Sequence, residues 1–122
     1  MRTLLFYRDE DGTAPLIQWL DRIPSKARTK CMVRLERLAE LGNQLRRPQT
    51  DYLGSGIHEL RATDRGTHYL MLFVFHDGVV LVVSHGLSKE GGAPAFEIQR
   101  AVRRRWAFAR DPKNHTFVEP AP

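Results

Sequence analysis

Residues 67 to 85 read THYLMLFVFHDGVVLVVSH, two apolar, β-branched and aromatic runs interrupted only by Asp77-Gly78. An Asp-Gly pair in that setting predicts a tight hairpin, because a type I′ turn needs positive φ at both central residues and these two types tolerate it. The register that follows sets His76 opposite Val79 and, counting outward, Leu70 opposite His85. The chain must therefore build an antiparallel sheet and find something to cover it.

Ile57 to Thr63 supplies a preceding strand, joined to Thr67–His76 by a turn centred on Arg65-Gly66, and Val79–His85 follows. Near the start, residues 3 to 7 (TLLFY) read as another strand, closed by the acidic stretch RDEDG. Helices provide the cover. Thr13 is placed to cap one that runs through Trp19 to about Arg22, with Pro15 in its first turn and Leu16, Leu20 and Ile23 as its inner face. Pro24 and Ser25 open a second, on which Ala27, Cys31, Leu35 and Leu38 repeat at helical spacing until Gly42 stops it. A third runs from about Pro94 to Ala109, with Ile98, Ala101, Val102, Trp106 and Ala109 on its apolar side. Residues 43 to 56 carry no period and read as a loop. The order β-α-α-β-β-β-α describes an α+β fold: a small antiparallel meander packed with an N-terminal helical hairpin and a C-terminal helix. One domain is expected over residues 1 to 110, and residues 111 to 122, with three prolines, as a mobile tail.

A length of 122 residues, 42% of them hydrophobic, suffices for one core. The formal charge of +5 favours polyanionic partners. Cys31 is the sole cysteine, so no internal disulfide can form and a reducing, cytoplasmic setting is expected. No run approaches the roughly 18 apolar residues that span a bilayer, so no membrane partner is expected. Histidines 58, 68, 76, 85 and 115 show no helical pair spacing, which argues against a metal site. Gly91-Gly92 is too short to cradle a nucleotide phosphate, and no cofactor is implied.

The hairpin register gathers Arg61, Tyr69, His85 and Lys89 at one end of the sheet, with Arg65 on the turn there and His58 and His68 nearby. Two cations, an imidazole and a phenol suit cleavage of a phosphodiester. Arg grips phosphate oxygens, Lys offsets charge, and His or Tyr moves protons. Without a metal, the route is attack of a ribose 2′-hydroxyl on the adjacent phosphate, which makes RNA the substrate. Plainer roles exist for each residue. His85 fits a hydrogen-bonded strand end, and Tyr69 aligns with Met71, Phe73 and Phe75 as core. Arg103-Arg104-Arg105 before Trp106 reads either as an RNA-contacting patch or as a solvated helix end. Cys31, on an inner helix stripe, reads as an inert buried thiol.

Glu59-Leu60-Arg61, Tyr69, His85-Gly86-Leu87, Lys89, Pro94 and Glu97 to Ala101 occur in the order seen in the RelE/ParE toxin superfamily, and in particular its HigB-like, phage-derived branch. Upstream, Trp19-Leu20, Pro24 and a basic helix agree, so residues 3 to 107 resemble that branch. The resemblance implies the toxin of a type II toxin-antitoxin system: an endoribonuclease, or mRNA interferase, that cuts mRNA on the ribosome and is neutralised by a helix-turn-helix antitoxin. It implies that Arg61 and Lys89 engage the scissile phosphate, with His85 and Tyr69 as candidates for proton transfer. Leu70 and Glu90 depart from the pattern, where relatives carry Arg and Lys, and each removes positive charge. A ParE-like inhibitor of DNA gyrase, or a non-catalytic RNA-binding phage accessory protein, are the alternatives on the same fold.

Overall fold

The computed structural model describes residues 3–83, 86–89 and 93–118, with backbone alone at positions 88 and 89. The elements are β1 (Thr3–Phe6), α1 (Pro15–Arg22), α2 (Ser25–Leu41), β2 (Thr50–Gly54), β3 (Ile57–Asp64), β4 (Thr67–His76), β5 (Val79–Val82), β6 (Leu87–Lys89) and α3 (Ala95–Arg110). Short 3-10 turns follow α2 (Gly42–Gln44) and α3 (Pro112–His115). The architecture is α+β, as the sequence pattern demands.

Both predicted hairpins form. Asp77 and Gly78 take φ of 44° and 81°, Arg65 and Gly66 take 52° and 81°, and the ladders begin at His76↔Val79 and Asp64↔Thr67. The strands lie in the order β1-β5-β4-β3-β2, with β6 also on β4. Two features differ from a plain antiparallel meander. β1 pairs parallel to β5, Thr3 beside Val79 through Phe6 beside Val82, so the sheet is mixed. β2, inside the segment read as a loop, pairs antiparallel to β3 and bulges between Tyr52 and Gly54. A five-residue edge strand containing Asp and Gly leaves little periodic signal, and its partner supplies the hydrogen bonds that define it.

The sheet is covered on both faces because successive side chains along each strand alternate sides. Leu60, Ala62, Tyr69, Met71, Phe73, Val80 and Val82 face the helical hairpin, where Leu16, Trp19, Leu20, Ala27, Cys31, Leu35 and Leu38 complete the larger core. The inner stripes expected for α1 and α2 are all buried. Thr13 does not cap α1. Its N–H and hydroxyl both donate to Asp11 Oδ1, and Ala14 holds the cap position. On the opposite face Ile57, Leu72, Val74, Leu81 and Val83 pack with Ala101 and Phe108 of α3.

The inner line of α3 is rotated from the apolar stripe. Glu97, Ala101 and Phe108 are buried, whereas Trp106 is 65% exposed and Ala109 lies at the surface. Charged residues lie on the inner side because they find partners there. The segment after α3, read as a tail from residue 111, is instead packed back through residue 118. His115 is buried and stacks on Tyr7 with ring centres 5.4 Å apart, Thr116 bridges Tyr7, and the Phe117 N–H donates to the Phe6 carbonyl.

Candidate functional site

Arg61 lies in the middle of β3, directly across from Leu70 of β4, which in turn faces Leu87 of β6. Two pairs further along, and so on the same face, Thr63 faces His68, and His68 faces Lys89. The three strands thus place positions 61, 68 and 89 on one face of the sheet, on rungs two apart. The Lys89 side chain and the whole of His85 lie outside the described residues.

The ladder reaches Lys89 by a different register from the predicted one. The Val83 N–H still donates to the Leu72 carbonyl at 2.9 Å, in step with the Asp77-Gly78 turn. Beyond it Leu70 faces Leu87 instead of residue 85, a slip of two positions. Gly86 sits within this slip at a φ of 75°, where a Cβ would collide with the Trp19 indole. Glycine is required both by the backbone conformation and by the close approach.

Arg61 is held in place. Its Nη2 donates to Glu59 Oε2 at 3.0 Å, and that carboxylate is almost wholly buried beneath a guanidinium whose side chain is 32% exposed. Its Nε is buried with no hydrogen-bond partner. A cation anchored at one nitrogen and exposed at its edge is pre-oriented for an anion, since little side-chain freedom is left to lose on binding. His68 Nδ1 and Thr63 Oγ1 lie 2.9 Å apart, which fixes the orientation of the imidazole. Arg61 also helps hold the Asp51 carboxyl below the usual range, behind the larger effect of the Arg47 hydrogen bond.

Tyr69 and His58 do not share this face. Both are out of phase with Arg61, at positions whose side chains pass to the helical-hairpin side. Tyr69 is buried against Trp19, with ring centres 6.1 Å apart, and His58 stacks on Phe73 at 5.2 Å. The core reading of Tyr69 therefore replaces the proton-transfer reading. Arg65 stands exposed at the β3–β4 turn.

The basic run of α3 divides. Arg103 is exposed. Arg104 is drawn inward, its Nη1 donating to the Val83 carbonyl at 3.0 Å, Nη2 3.8 Å from Asp9 and the guanidinium carbon 5.6 Å from the Tyr7 ring centre. Burial pushes its pKa down from the ordinary arginine value, and Asp9 opposes that shift. Arg104 thus clamps α3 to the sheet and is not offered to RNA. Arg105 donates to the Ser55 carbonyl at 3.4 Å.

Two buried carboxylates carry no role in the sequence reading, although both lie in its matched motifs. Glu59 positions Arg61, and Glu97 in the first turn of α3 forms an ion pair with Arg100, Oε1 to Nη1 3.0 Å. The signal was the two-residue spacing of Glu59 and Arg61, which puts both side chains on one face of a strand. Burial pushes the Cys31 thiol up to about 11, which keeps it protonated and unreactive at neutral pH. No group of three potential metal ligands exists among the described residues, and no helix there is long and apolar enough to cross a membrane.

A search of curated proteins finds none that matches this chain. A family model does match, over residues 18–106, which take in the second half of α1, all of α2 and the sheet from β2 onward together with most of α3. The chain belongs to the family described as phage derived protein Gp49-like (DUF891), a RelE/toxin-like family.

Proposed function

We propose that this protein is the toxin of a type II toxin-antitoxin pair, of the HigB-like kind, and a metal-independent endoribonuclease that cuts mRNA on the ribosome. Its partner would be a helix-turn-helix antitoxin. The observation that carries this reading is Arg61: an arginine seated on a buried glutamate, with an unsatisfied Nε, two rungs along the same sheet face from both His68 and the backbone of Lys89. Arg61 and Lys89 grip the scissile phosphate. The 2′-oxygen attacks phosphorus, its proton passes to an imidazole, and the 5′-oxygen leaves and takes up a proton, yielding a cyclic phosphate and a 5′-hydroxyl. His68, oriented by Thr63, is assigned that proton. His85 is the second candidate on sequence grounds.

The test is to induce the protein in cells and map mRNA 5′ ends. New ends within reading frames are expected, and Arg61→Ala or Lys89→Ala should remove them, with rates down by about a hundredfold or more, as for other residues that stabilise developing charge. Comparing His68→Gln with His85→Gln tells which imidazole moves the proton. Growth arrest with intact mRNA and an SOS response would replace this reading with gyrase inhibition.

A further inference from the structure

A cavity of about 440 Å³ lies on the other face of the sheet, between the end of α2 and the edge strand β2. Its wall is aromatic. His58 stacks on Phe73 with ring planes 19° apart, Phe75 meets the same imidazole edge-on at 5.2 Å, and Tyr52 leans over it at 4.9 Å. Phe73 is a buried floor, while Tyr52 is 59% exposed at the mouth. Tyr52 is nevertheless held, because its hydroxyl accepts the Gly56 N–H at 3.0 Å. Such a ring presents a flat face to a ligand with little freedom left to lose.

The rim is polar and cationic. Arg46 and Asn43 line it, both exposed, and neither side chain has a hydrogen-bond or ion-pair partner among the described residues. Arg47, by contrast, is committed to Asp51, donating to Oδ1 from Nε at 3.0 Å and from Nη2 at 2.7 Å. The ring nitrogens of His58 likewise make no hydrogen bond among the described residues. An aliphatic ligand would use the rings but leave the guanidinium and the amide unanswered. A bare anion would do the reverse. The combination fits a ligand that is flat and aromatic at one end, able to hydrogen-bond at its edge, and anionic at the other.

We infer that this cavity binds one nucleotide, with its base against Tyr52 and His58, its edge on Asn43 and its phosphate on Arg46. Base stacking on aromatic side chains beside a cation is how proteins hold single-stranded nucleic acid without reading its sequence. The site lies across the sheet from Arg61, and Asp51 on the edge strand between them is close enough to feel both Arg47 and Arg61. A strand of RNA folded over the β2 edge would therefore reach both faces. The nucleotide site itself does not depend on the ribonuclease reading.

The test is calorimetric titration of the full chain with two probes: a nucleoside 5′-monophosphate and a short 2′-O-methylated oligoribonucleotide that cannot be cut by 2′-hydroxyl attack. Tyr52→Ala should weaken binding by about tenfold, and Trp106→Ala, which removes an exposed ring elsewhere on the surface, should not. Arg46→Gln should weaken binding and flatten its salt dependence by about one phosphate contact. Tyr52 and Arg46 are both at the surface, so both variants should fold. Mononucleotide binding as tight as that of the oligomer supports a free-nucleotide site, and binding of the oligomer alone supports a seat for one residue of an RNA strand. If neither probe binds, or if Tyr52→Ala and Arg46→Gln both bind like the parent, the inference fails. A chain that binds through Tyr52 but cuts no RNA loses only the ribonuclease reading. One that cuts RNA while indifferent to Tyr52 loses only the nucleotide site.

Discussion

The His58 imidazole sits among Tyr52, Phe73 and Phe75, and burial pushes its pKa below the ordinary 6.5. The folded state therefore prefers the neutral ring, and the unfolded chain binds the proton first as pH falls. The resulting stability is fully present above pH 6.5 and is lost as pH drops through the depressed folded value. Melting temperatures measured from pH 7.5 downward should decline below about pH 6.5, and His58→Phe should flatten that decline. Arg104→Ala offers a second check at this scale. It removes the hydrogen bond to Val83 and the contacts with Asp9 and Tyr7, and should cost about 2 kcal/mol in urea unfolding. Individual residues were legible to the extent that neighbours in sequence decide them. The core stripe of α2 and the buried thiol of Cys31 follow from spacing alone. Tyr69 did not, because the end of the sheet on which it sits and the face to which it points are separate questions, and strand parity answers the second.

Among the elements, the passage from β5 to β6 sets where Lys89 falls. The hairpin register continues through Val83 and is then offset by two, and Gly86 makes the offset possible by passing over Trp19. Gly86→Ala should destabilise the fold by about 2 kcal/mol or more, from positive φ and from overpacking against the indole, as read by chemical denaturation. Under the proposed ribonuclease activity it should also lower RNA cleavage beyond what the stability loss explains, because the Lys89 strand is displaced. Counting outward from a turn cannot foresee such an offset, since the count assumes an unbroken ladder. The same limit applies to α3. A stripe chosen by hydrophobicity selects Trp106, whereas the observed inner side includes Glu97 and Arg104, charges that become tolerable only when Arg100, Asp9 and Val83 answer them.

For the molecule as a whole, residues 6–8 and residues 115–117, far apart in sequence, close on each other. His115 Nδ1 lies 2.9 Å from the Arg8 carbonyl, its ring stacks on Tyr7, and the Phe117 N–H pairs with Phe6. Ending the chain after Arg110 should remove about 3 kcal/mol of stability, counting roughly 1 kcal/mol for each hydrogen bond and the rest for the stacked rings. Thermal unfolding of the shortened chain measures this, and an unchanged melting temperature would mean the segment is ornamental. The net charge of +5 acts at this scale too, since it draws polyanions towards the molecule without choosing a face.

Sequence alone determined what local chemistry controls: two hairpins whose turns require Asp-Gly and Arg-Gly conformations, the paired helices α1 and α2 whose apolar spacing matches their burial, and an arginine two residues from a glutamate on one strand face. Only the tertiary structure decided the parallel pairing of β1, the strand hidden at the sheet edge, the slip before Lys89 and the separation of Tyr69 from Arg61. The reason is the range of the forces involved. Turns and helical stripes are settled by contacts a few residues apart, whereas register slips, edge pairing and buried charges are settled by partners that distant parts of the chain bring into reach.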